Sequence, residues 1–135
     1  MEKGALLSPL DERDYRCNTV MEQGEKLPKN FEVWQPPVQN QGFVGNCVAQ
    51  ALSNIKECWL YKRHKTHRDF SVGFIYGWEN RSYSGMYSRS ALAQMVKIGD
   101  CMAADFEANL GIPQICELVE KRREELAAKA AENKS

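Results

Sequence analysis

Gln41-Gly42-Phe43-Val44-Gly45-Asn46-Cys47, followed at once by Val48-Ala49-Gln50-Ala51-Leu52, is the stretch on which the reading of this chain turns. From Cys47 to about His64, Val48, Ala51, Leu52, Ile55 and Trp59 recur at spacings of three and four. That is one stripe of a 3.6-residue period, and Lys56, Glu57, Lys62 and Arg63 fall mostly off it. The pattern predicts a helix that opens at Cys47. A cysteine there meets the positive end of the helix dipole and unpaired backbone N–H groups, and both favour the thiolate. Its own N–H is free to donate to a developing oxyanion, and the amide of Gln41 is a candidate second donor. Gly42 and Gly45 let the backbone approach a substrate closely. Asn46 reads as a turn or N-cap residue. Cys47 and Gln41 are therefore the candidate catalytic residues, and Gly42, Gly45 and Asn46 the candidate binding loop. The bland alternatives are a buried structural cysteine and a glutamine that bonds within its own loop.

Outward from this centre the chain reads as irregular, then helical. Residues 1–30 read as an extended lead-in with turn and charge signals over Ser8–Tyr15. Phe31-Glu32-Val33-Trp34 has a short strand-like pattern, and Pro36-Pro37 fixes an extended approach to the loop. Ser71 is a candidate N-cap for a short helical turn in the aromatic-rich segment Phe70–Trp78. A polar loop spans Asn80 to Ser88. A second helix is expected over 88–98, ended by Gly99 in a left-handed cap. A third is expected over 113–130, with Pro113 near its start. Its apolar stripe is Ile115, Leu118, Val119, Arg122 and Leu126, with Glu117/Lys121 and Glu125/Lys129 as i,i+4 pairs and fraying beyond Leu126.

Eighteen basic and 18 acidic side chains balance across 135 residues, which speaks against a nucleic-acid binder, since those usually carry a basic excess. The length suits about one domain. No apolar run approaches the roughly 18 residues that would span a membrane, and the first residues lack a signal-peptide core. Five cysteines (17, 47, 58, 101 and 116) form no CxxC pair, so neither a zinc site nor a disulfide framework is read. No cofactor or metal is expected, and the location expected is cytoplasmic. His64 and His67 stand 17 and 20 residues after Cys47. On one continuous helix His64 lies roughly 25 Å from the thiol. Both histidines therefore read as solvated members of a basic loop.

The loop Gln41–Cys47 resembles the active-site segment of the papain-like cysteine peptidases, in which a Gln, a Gly-rich turn and the nucleophilic Cys have this spacing. Gln41 matches the oxyanion-hole glutamine, Cys47 the nucleophile and Gly45 the glycine two positions before it. Asn46 and Val48 stand where the family usually has Ser and an aromatic, a form closer to its outlying bacterial and viral branch. Val44 stands where secreted members carry a disulfide cysteine, which fits a reducing compartment. The resemblance covers about residues 8–106. It implies a mainly α fold, the left-hand helical half of the papain architecture, with few strands. Residues 31–112 would form the half-domain, 1–30 the lead-in and 113–135 a C-terminal helix and tail. It also implies attack by Cys47 on a peptide, isopeptide or other acyl carbonyl. The family's His lies roughly 130–150 residues after its Cys, a distance this chain does not contain. The base and its orienting Asn would then come from a second polypeptide, a missing C-terminal half or another protomer. The alternative is a catalytically silent binding module, for example a phage or mobile-element inhibitor, that covers an apolar face around Cys47 and 70–78 with a protein partner or in a homo-oligomer.

Overall fold

The structure, a computed structural model, describes residues 5–14, 26, 28–42, 44–79, 85–106 and 112–134. Tyr15 and Cys17 of the lead-in, Leu27, Phe43 of the loop and Tyr83 lie outside them. The described chain is mainly helical: α1 (Cys47–His64), α2 (Val72–Glu79), α3 (Ser88–Ile98), α4 (Ile112–Lys121) and α5 (Arg123–Glu132). Its one sheet is a parallel pair, β1 (Ala5–Leu6) beside β2 (Met86–Tyr87), with Ala5 opposite Met86. Residues 31–34 are irregular rather than a strand, and Trp34 instead lays its ring on Tyr61, centroids 3.9 Å apart.

Helix α2 is the middle of the core and packs against α1, α3 and α4. Its sequence is apolar nearly all round, so it can be stable only where it is covered on every side. Phe74, Ile75 and Tyr76 are fully buried. Burying each of such side chains contributes about 1.5–3 kcal/mol. Ser71 caps the helix: its hydroxyl accepts from the Phe74 N–H at 3.1 Å and donates to the Phe106 carbonyl at 2.6 Å. The aromatic segment 70–78 is thus core and not the exposed face anticipated for a binding module, because α4 covers it through Ile115 and Val119.

Helix α1 begins and ends where its pattern predicts, but a different face turns inward. Val48, Ala49, Ser53, Lys56 and Glu57 are buried, while Ile55 is 64% and Trp59 47% exposed. The inward polar groups find partners distant in sequence, described below, and these reverse the choice that hydropathy alone would make. The C-terminal helix is interrupted at Arg122, although the backbone ladder continues through it. Arg122 N–H donates to Leu118 C=O at 3.0 Å, and Leu126 N–H to Arg122 C=O at 2.9 Å. Beyond Leu126 the chain stays helical to Glu132, because Ala130 is buried against the turn at Gly99. The i,i+4 pairing of Glu125 with Lys129 is replaced by Arg122–Glu125 and Lys129–Asp105 ion pairs, and Glu120 pairs with Arg123.

Candidate functional site

A cleft of about 330 Å³ lies between the first three turns of α1 and the extended segment Gln35–Gln41. Cys47, Gln41, Gln50 and Glu57 share its lining with Pro36, Pro37 and Val38. The loop that delivers Cys47 is built from local hydrogen bonds. Asn40 Oδ1 accepts from the Gly42 N–H at 2.8 Å, and Gly42 takes φ +61°, a conformation that glycine adopts without penalty. The Val44 carbonyl accepts from the Asn46 N–H at 2.8 Å and also from the Gln41 side-chain amide. Gln41 therefore does bond within its own loop. An amide carries two N–H donors, and this bond uses one of them. Gly45 is half-buried in the same turn.

Cys47 is a free, half-buried thiol on the first residue of α1. Asn46 precedes the helix and is 5% exposed, but its side chain makes no capping bond. Its Oδ1 has no hydrogen-bond partner among the described residues. The first-turn N–H groups of α1 thus lack the side-chain acceptor that an N-cap Asn normally supplies.

The far wall of the cleft rests on Glu57. Its Oε1 accepts from Ser53 Oγ and from the Phe70 N–H, each at 3.1 Å, and its Oε2 lies 3.0 Å from His67 Nε2. Three partners hold this buried carboxylate in place and tie the 65–70 turn to α1. His67 is therefore not simply a solvated loop residue. It packs between Glu57 and the Trp34 ring, 5.3 Å from the latter. With Trp34 on Tyr61, and the Cys58 thiol 3.3 Å from the Trp34 carbonyl, this cluster fastens the segment that walls the cleft. Glu57 sits ten residues beyond Cys47, about 15 Å along the helix axis. Its partner His67 therefore stands far from the thiol, and His64 is exposed at the end of α1. Glu57, Trp34 and His67 carry no local signal of these roles, since each depends on a contact across at least ten residues.

A second polar cluster lies on the inner side of α1. Lys56 Nζ donates to the Asn133 carbonyl at 3.0 Å and sits 4.2 Å from the Phe70 ring centroid. Burial lowers its pKa, and the nearby Asp100 partly opposes this. Asp100 is itself fully buried, with neither carboxylate oxygen in hydrogen-bond geometry with a described donor. Burial pushes its pKa up to about 7, although Lys56 and the Cys101 backbone favour the charged form. Burial, with Asp100 beside it, also pushes the Cys101 thiol up to about 12, which marks it as inert.

Among the described residues no group of three or more His, Cys, Asp or Glu side chains is placed to hold a metal ion. No described helix is long and apolar enough to cross a membrane. Comparison with protein-family models and with curated proteins finds no match to this chain.

Proposed function

We propose that this chain is the helical half of a papain-like cysteine peptidase, cytoplasmic, with Cys47 the nucleophile of an acyl-transfer site that a histidine from outside these 135 residues completes. The observation that carries the reading is the cleft whose lining includes both Cys47, at the N-terminus of α1, and Gln41, on the segment across from it. The Cys47 thiolate would form a C–S bond with an acyl carbon. The Cys47 N–H and the second Gln41 N–H would hold the oxyanion. The base takes the thiol proton and, once protonated, gives it to the leaving amine as the C–N bond breaks. Water, deprotonated by the same base, then breaks the C–S bond of the thioester and releases the acid and the Cys47 thiol. Neither histidine of these 135 residues is that base, because His64 ends α1 and His67 pairs with Glu57, ten residues beyond Cys47; it comes from a C-terminal half, a copy of this chain or a different protein.

Alkylation tests it. Iodoacetamide at pH 6.5, read by mass spectrometry, should label Cys47 at least about tenfold faster than Cys58 or Cys116 on the same molecule. Cys47→Ala should lose the fast label and leave the slow ones. Equal rates at the three thiols, or an unreactive Cys47, would overturn the reading.

The second reading, a binding module without chemistry, is favoured by a different observation. The outer face of α1 leaves Ile55 and Trp59 uncovered beside the cleft.

A further inference from the structure

The exposed face of α1 has a definite chemistry. Val33, Ile55, Cys58, Trp59 and Lys62 line a shallow groove of about 470 Å³. Where the groove ends, the chain turns cationic: Lys62-Arg63-His64-Lys65-Thr66-His67-Arg68. Lys62, Arg63, Lys65 and Arg68 are all exposed, and none is in an ion pair among the described residues. The two carboxylates nearest in sequence have other partners. Glu57 faces inward to Phe70 and His67, and Asp69 accepts from Gln39 at 3.4 Å.

The simplest account of basic residues at a helix C-terminus is that they complement the dipole, an effect of about 0.3–1 kcal/mol confined to the last turn. That covers Lys62, Arg63 and His64 but not Lys65 or Arg68, which lie beyond the helix. Lys65 also takes a left-handed φ of 56°, where a lysine is disfavoured by about 1 kcal/mol or more. The Arg63 guanidinium lies 4.7 Å from the Trp59 ring centroid, which brings positive charge to the rim of the apolar groove. In a chain whose charges balance overall, this concentration is local and faces outward.

We propose that this face docks an acidic amphipathic segment of a partner protein. Its apolar side chains fill the groove at Val33, Ile55 and Trp59, and its carboxylates pair with Lys62, Arg63, Lys65 and Arg68. Charge complementarity selects the occupant, and the groove supplies the apolar anchor that a bare polyanion lacks. The inference goes beyond the reading of Cys47 and holds whether or not that thiol reacts.

Fluorescence anisotropy tests it with a labelled helical peptide of Leu and Glu, Leu at three- and four-residue spacing. Its counterpart with Lys for Glu, and a single-stranded oligonucleotide, serve as comparisons. The Leu/Glu peptide should bind, and 0.5 M NaCl should weaken the binding. Trp59→Ala and the pair Lys62→Glu with Arg63→Glu should each weaken it at least about tenfold. Lys97→Glu, a single Lys-to-Glu reversal on the exposed side of α3, should not. Circular dichroism checks that each variant folds, and the salt response of the unaltered protein gives a measurement that needs no variant. No binding, equal binding of the Lys peptide, insensitivity to salt, or undiminished binding by the Trp59 and Lys62/Arg63 variants would overturn the proposal. So would an oligonucleotide that binds more tightly than the peptide.

Discussion

Asp100 is the most consequential single side chain outside the cleft. A carboxyl with no direct donor and a buried ammonium as its neighbour is in the wrong solvent for its charge. Its pKa of about 7 stands above the ordinary 3.8. The stability linked to it is therefore full below about 3.8 and is lost as pH rises through about 7, since the unfolded chain ionises more easily than the folded one. Asp100→Asn removes this titration. Its stability relative to the unaltered protein should rise by roughly 2–3 kcal/mol between pH 5 and pH 8. Urea melts at the two pH values measure the difference, and one that stays constant would show that Asp100 titrates normally.

The joint between α3 and α5 shows how two elements can depend on one missing side chain. Gly99 ends α3 with φ +101°, its N–H donating to Met95 C=O at 3.0 Å. A Cβ added there would lie 2.0 Å from the Ala130 carbonyl oxygen. Gly99→Ala must therefore push α5 away, or give up the turn, and should destabilise the protein by about 2–5 kcal/mol in thermal or urea unfolding. A loss below about 0.5 kcal/mol, the range of surface changes, would mean that α5 is not seated on this turn. Gly99 as the stop of α3 was legible in the sequence, as were the limits of α1 and α3 and the cap at Ser71, because each rests on signals within one or two turns of the chain. The inward face of α1 was not. Ser53, Lys56 and Glu57 are drawn in by Phe70, Asn133 and His67, partners that no helical window contains. The same limit applied to the site. The loop Gln41–Cys47 could be read from spacing, whereas the wall held by Trp34, Glu57 and His67 emerges only from the folded chain. The aromatic run 70–78 was ambiguous in another way, since an all-apolar helix does not say whether its cover is its own chain or a partner.

On the scale of the whole molecule, residues 5–14 are held to the helical body at two places that differ in strength. One is the short β1–β2 pair, too small to be stable alone. The other is Arg89 of α3, whose guanidinium donates to Asp11 at 2.6 Å and to Asp14 at 2.6 and 2.7 Å. Arg13 completes the clamp, donating to Asp11 from its side chain and its backbone N–H. The Arg13 hydrogen bonds, aided by the charge of Arg89, hold the Asp11 carboxyl well below the usual carboxylate range. A lowered pKa means that the contribution of Asp11 is present above the unfolded value and is lost only far below it, so the clamp persists into mild acid. Exposed pairs add little to global stability, and the core of α2 makes no use of this one. Arg89→Ala should therefore act locally. Amide exchange should quicken over residues 5–14 and at Met86 and Tyr87, while Phe74, Ile75 and Tyr76 keep their protection. Unchanged exchange at Leu6 and Tyr87 would mean that the parallel pair alone holds the segment. Loss of protection throughout α2 would mean that the segment is a cooperative part of the core rather than a strap across it.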